Sequence, residues 1–221
     1  MMIIQNIKFH PNSSNLSSNV YSQLRLKLIT GDLKPGEPLS IRRLANEYNY
    51  SAMPVREALR QLASEDALVG AAKKAYRVPD LSSEDASKLF YVRAALEGAS
   101  AEIAAKKVLK KDIKYLQSLS LSMDFSWKKN DASSFLEQNF LFHSYIYSMA
   151  QNPVLERMAE NLYIRTGPWL AQGIKNLSNS NVWEKSHDGI IKALSEKDSV
   201  LARKLIEEDS SWGKQLYQTE V

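Results

Sequence analysis

The apolar positions fall into two textures. Over the first third they recur at helical spacing in short blocks cut by turns. Val20, Leu24, Leu28 and Ile29 share one helix face, which stops at Gly31. The following segment, GDLKPGEPLS, holds two Gly and two Pro in ten residues and is predicted as a turn. Ser40 is placed to cap a short helix carrying Ile41, Leu44 and Ala45. After a turn around Asn49, Ser51 is placed to cap a third helix through Val55, Leu59 and Leu62. Pro54 is tolerated in its first turn, where backbone N–H groups lack intrahelical partners. Two short β-like pieces, 67–69 and 76–78, flank a Lys-containing tip, AAKKA. The order predicts a winged helix-turn-helix over 18–79, behind a polar, mobile tail at 1–17.

From residue 80 the blocks lengthen. Ser82 with Asp85 forms a capping-box pattern opening a helix to about residue 107. Further helical stretches are predicted near 111–129, 132–150, 154–172, 181–196 and 199–218, with no convincing strand pattern. The expected fold class is therefore mostly α: a three-helix head with a small hairpin, then a helical bundle of about six helices over 80–221.

Composition narrows the classes. The 221 residues are 44% hydrophobic and 24% charged, an ordinary globular balance. No apolar run of about 18 residues suits a membrane span, and the start MMIIQNIKFHPNSS lacks a secretory cleavage signature. Absence of cysteine removes disulfides, thiol catalysis and cysteine-ligated metal from consideration. A cytoplasmic protein without membrane association is expected. Residues 1–79 hold 11 Lys and Arg against 6 Asp and Glu, whereas 80–221 hold 18 against 19. The basic excess lies wholly in the first third, as expected of a module that meets a polyanion.

The third helix, SAMPVREALRQL, sets Arg56 and Arg60 on one face, opposite Val55, Leu59 and Leu62. An apolar back and a basic front suit the major groove, where guanidinium reads guanine or grips phosphate. Arg42 and Arg43 on the preceding helix, with Lys73 and Lys74 at the hairpin tip, extend that surface. Any one arginine could merely solvate its helix; the convergence points to DNA.

The run GDLKPGEPLSIRRLANEYNYSAMPVREALRQLASEDALV resembles the DNA-binding head of the GntR superfamily of bacterial transcription regulators. The matching features are the turn at Gly31, Leu33, Pro35 and Gly36, the Leu44–Ala45 pair, the recognition helix from Ser51 to Leu59, and the Leu68–Val69 strand. The continuation LFYVRAALEGASAEIAA resembles the opening of the helical FCD effector domain of the FadR-type branch, and six helices fit its VanR-like subgroup. By this resemblance Arg42, Ser51, Arg56 and the wing tip are DNA-contacting positions. Three departures stand out: Ala52 replaces the arginine after the serine, Asp66 a glycine before the strand pair, and Ala75 the wing glycine. Positive φ costs more for Asp and Ala than for Gly.

In the second part, polar groups interrupt apolar stripes. Asn139 and His143 sit with Phe135, Phe142 and Ile146; His187 lines up with Trp183, Ile191 and Leu194; Asp209 falls among Leu201, Leu205, Trp212 and Leu216. A carboxylate in such a stripe is expensive unless paired or metal-bound. Many FCD domains bind a divalent metal through Asp-x-x-x-His on one helix and single histidines on two later ones, so the resemblance implies a site at Asn139, His143, His187 and Asp209. Zinc, manganese or nickel suits such donors. An Asn139–Asp209 hydrogen bond without metal is the alternative. Arg93, where the family often aims an arginine at its pocket, suits an organic acid, with Tyr147, Arg165 and Trp183 as further effector-binding candidates. A salt bridge to Glu97 is the other reading of Arg93.

The expected function is a ligand-responsive repressor binding a palindromic operator as a homodimer, not an enzyme. The alternatives are the same regulator with a ligand-free dimerisation domain, and a small metallohydrolase using His143, His187 and Asp209. The latter lacks HExxH, a Ser-His-Asp order and a phosphate loop.

Overall fold

The computed structural model describes residues 16–70, 75–176 and 182–215, without the side chains of 175–176, 182–186 and 212–215. The described residues form α1 (Leu16–Ile29), β1 (Pro38–Leu39), α2 (Ile41–Tyr48), α3 (Ala52–Ser64), β2 (Tyr76–Arg77), α4 (Ser83–Lys107), α5 (Lys110–Lys128), α6 (Ala132–Met149), α7 (Pro153–Asn176), α8 (Val182–Ser195) and α9 (Ser199–Gln215).

Local chemistry sets the boundaries of the head. The Ser40 hydroxyl accepts from the Arg43 N–H at 3.4 Å, starting α2. Asn49 ends it at φ +55°, returning its N–H to Ala45 and Asn46 carbonyls. Ser51 is the N-cap of α3, but its side chain makes no capping bond. The wing differs from the expected hairpin. Pro38–Leu39, read from sequence as turn, pairs antiparallel with Tyr76–Arg77, while Val69 contributes an isolated bridge to Arg77 on the other side. A two-residue strand beginning with proline has no alternation to read. Asp66 adopts φ +56°, the left-handed conformation that glycine reaches most easily.

The second part is an all-helical bundle of six helices, α4 to α9, as the apolar spacing predicts. Its core is built around Phe90, Phe135, Phe142, Ile146, Ile190 and Ile206. α7 continues through Pro168, which removes the helical bond to Ile164 at a point just after Gly167. The two parts share a core: Phe140, Tyr163 and Ile164 of the bundle pack into the same cluster as Val20, Leu24, Leu59 and Leu62 of the head. No helix of the described residues is long and apolar enough to cross a membrane.

Candidate DNA-binding surface and buried polar site

The outward side of α2 and α3 is basic. Val55, Leu59 and Leu62 are buried, which leaves Arg56 and Arg60 exposed on the opposite side of α3, near exposed Arg42 on α2. Among the described residues none of these three arginines has an acidic partner, so their guanidinium groups are available to a polyanion. Arg43 is different: its Nη2 lies 3.2 Å from Glu37 Oε1, which neutralises it across the turn before α2. Ser51 is exposed at the N-terminus of α3, beside N–H groups that suit a phosphate. Sequence reasoning passed over Met53, whose 63% exposure puts an apolar side chain on this surface. Lys73 and Lys74 lie outside the described residues.

The second site is interior. Ala94, Ala101, Ala104 and Ala105 pack α4 against its neighbours, and Arg93 and Glu97, one turn apart, are drawn in with them. The Arg93 Nε donates to Glu97 Oε1, and its Nη1 donates to Thr166 Oγ1 at 3.1 Å. The guanidinium also stacks 3.9 Å from the ring centroid of Tyr163. Glu97 Oε2 accepts from Ser210 Oγ at 2.9 Å and lies 2.7 Å from His143 Nδ1. His143 Nε2 is 3.2 Å from Asp209 Oδ2. A carboxylate oxygen thus faces each ring nitrogen of His143, and both contacts are ion pairs when the imidazole is protonated. The Tyr147 hydroxyl is buried beside Glu97, and burial raises its pKa well above the ordinary tyrosine value. Asn139 Nδ2 donates to the Tyr163 hydroxyl at 2.8 Å, and Asn139 Oδ1 is 3.2 Å from His187 Nε2.

These neighbours fix the charges. Burial works against the ionised form of Glu97, but Arg93 and then His143 outweigh it and hold the carboxyl at about 2. Burial also opposes the imidazolium of His143, yet Glu97 and Asp209 push it up to about 9. Two cations, Arg93 and His143, thus face two anions, Glu97 and Asp209. The cluster is internally neutral.

The structure brings His143, His187 and Asp209 together: one ligand atom from each lies within 4.8 Å of the others, on three different helices. Nitrogen and carboxylate donors in this number fit a zinc, manganese or nickel ion, with Glu97 behind His143 as the orienting carboxylate that such sites employ. Asn139 uses its amide on Tyr163 and His187. Arg93 and Tyr147 both reach the cluster, where the salt bridge to Glu97 is the reading of Arg93 that the geometry supports. Arg165 does not reach it. Its Nη1 sits 3.9 Å from Asp66 Oδ2 at the boundary with the head. The side chain of Trp183 lies outside the described residues. Glu97 entered the sequence reading only as a partner for Arg93; Tyr163, Thr166 and Ser210 carry no local signal and converge through packing alone.

A basic winged-helix head on a helical bundle is the arrangement of a DNA-binding transcription regulator with a second, helical domain. The profile of bacterial regulatory proteins of the gntR family matches residues 16–78, and that of the FCD domain matches 88–209. The chain belongs to the gntR family of transcription regulators, with an FCD domain as its second part. It is 30% identical over 186 residues to the HTH-type transcriptional regulator McbR of Escherichia coli (strain K12), covering 83% of this chain and 84% of that protein. The gluconate operon transcriptional repressor of Bacillus licheniformis is 27% identical over 199 residues, 86% of this chain and 80% of that one. The solved structure of E. coli McbR/YncC superposes with a TM-score of 0.87 at 28% identity, covering 95% of this chain and 100% of that chain. These relatives are transcriptional regulators, not enzymes, which disposes of the metallohydrolase.

Proposed function

We propose that the protein is a homodimeric repressor of a two-fold symmetric operator, with affinity governed by a divalent cation held by His143, His187 and Asp209. The observation that carries the reading is the meeting of those three donor groups in the interior of the FCD domain. When bound, the cation would take the place of the His143 proton as the positive charge facing Asp209 and would tie three helices together. Arg42, Ser51, Arg56, Arg60 and the wing lysines Lys73 and Lys74 are the DNA-contacting set; Arg43, already neutralised by Glu37, contributes least. Two heads are needed because one recognition helix covers few base pairs. Repression follows the names of several relatives, the gluconate operon repressors among them.

The organic acid expected from Arg93 has weaker support. The guanidinium already holds Glu97 and Thr166, so an acid gains it only by displacing a buried carboxylate. Linkage supplies the test: an effector that changes operator affinity has its own affinity changed by the same factor. Chelator-stripped protein is titrated with zinc, manganese and nickel while metal content, melting temperature and operator affinity are followed. One ion per chain, a raised melting temperature and a shifted operator affinity are expected. No stoichiometric binding of any of the three refutes the cation.

A further inference from the structure

Tyr163 belongs to both halves of the molecule. Its ring is fully buried in the apolar cluster of the head, edge-on to Phe140 with centroids 5.0 Å apart. The ring of Phe140 in turn lies 5.5 Å from the guanidinium of Arg25 on α1. On the other side Tyr163 carries the Arg93 guanidinium, and its hydroxyl accepts from Asn139, whose amide oxygen faces His187. One side chain is thus tied at its tip to the polar site and embedded by its body in the core of the head.

The surroundings make α7 a stiff support for that link. Glu160 accepts from Arg25 of α1 at 2.6 Å and from Ser144 of α6 at 2.6 Å, and Asn161 donates to the Glu65 carbonyl at 3.0 Å. Where α1 ends, backbones meet directly. A Cβ on Gly167 would stand 2.4 Å from the Leu28 carbonyl oxygen, and one on Gly31 would stand 1.9 Å from Ala171 Cβ. No compliant side-chain layer separates α1 from α7 at that point. α1 packs on α3 through the core that positions Arg56 and Arg60.

We propose that Tyr163 is a positioning residue that couples the polar site to the DNA-reading head through its hydrogen bond to Asn139. The proposal rests on the reading of the interior cluster as the sensor. A shift of His187 or Asn139 that withdraws the amide strands a buried hydroxyl, which is costly; the ring then moves to recover a partner. Because the same ring is a wall of the head's core, close packing passes the movement to α1 and α3. Spatial connection alone does not establish coupling, so the test is a double-mutant cycle.

Operator affinity is measured for wild type, Asn139→Ala, Tyr163→Phe and the double variant, each checked for folding by circular dichroism; Asn139→Leu, uncharged and close to asparagine in size, substitutes if the alanine variant does not fold. Coupling predicts that the change at 139 shifts affinity about threefold or more with tyrosine present and has little effect with phenylalanine. Amide exchange in residues 16–29 should follow the same pattern. Equal shifts in the two backgrounds, zero included, overturn the proposal. Calorimetric titration of the same four proteins with zinc, manganese and nickel is read separately: failure of wild type to bind any of the three refutes the cation, while the cycle, which needs no metal, still decides the role of Tyr163.

Discussion

Glu97→Gln removes one negative charge from the interior without changing its volume. Wild-type Glu97 is fully buried between Arg93, itself 2% exposed, and His143. The glutamine leaves Arg93 with the Thr166 hydroxyl and the Tyr163 ring but no counter-ion, and stranding a buried charge in this way costs about 3–5 kcal/mol. That is a large part of the about 5–15 kcal/mol that holds a folded chain together. The loss has a pH signature. The raised pKa of His143, about 9, stabilises the chelator-treated protein most below the ordinary imidazole value of 6.5, and this contribution disappears as pH rises through 9. The difference corresponds to about 3 kcal/mol as an upper bound. Glu97 is the largest cause raising it, so the variant should lose most of that slope between 6.5 and 9. Urea unfolding at several pH values tests both parts. A loss under about 1 kcal/mol, or a slope across this window equal to wild type, would refute the ion-pair account.

Arg56→Ala is expected to weaken operator binding by about 1–3 kcal/mol and to relax sequence preference; equal loss on all sequences would make it a phosphate contact instead. Ala52→Arg, on the exposed first turn of α3, should tighten binding and steepen the salt dependence by about one unit, with stability moving by less than about 0.5 kcal/mol. Gly167→Ala would gain about 0.5–1 kcal/mol in an open helix, but its methyl meets the Leu28 carbonyl at 2.4 Å, so a net loss of about 1–3 kcal/mol in thermal or urea unfolding is expected. Stabilisation by this change would show that α1 and α7 are not in contact as described.

What could be read in advance follows from range. The helices of the head and bundle declare themselves because their apolar spacing is local, as with Val55, Leu59 and Leu62 on α3. The basic face and the Arg93–Glu97 pair, each confined to one or two turns, were legible for the same reason. The start of α1 was not: Leu16 and Ser17 look like tail, and only packing of the residues beyond them makes the turn helical. Nor was the neutralisation of Arg43 by Glu37, which depends on how the turn folds back. Tyr163, Thr166 and Ser210 reach the polar site from α7 and α9, and one such residue on an apolar helix face carries no sign of what lies opposite.

The two exchanges at the FCD site make sense together. Relative to the family pattern, the carboxylate has left position 139 on α6 and appears as Asp209 on α9, so the site keeps one acid from that pair. An aspartate at 139 beside Asp209 would place a third carboxylate with Glu97 against two cations, and the balance set by Arg93 and His143 would fail. The amide also does what no ionised carboxylate can: it donates to the Tyr163 hydroxyl while accepting at its oxygen from His187. Moving the acid therefore preserves the charge of the interior and creates a donor to Tyr163, in the core shared with the head. For that reason Asn139, rather than any of the three candidate cation ligands, is where substitution should separate what the site binds from what the DNA-reading helix does about it.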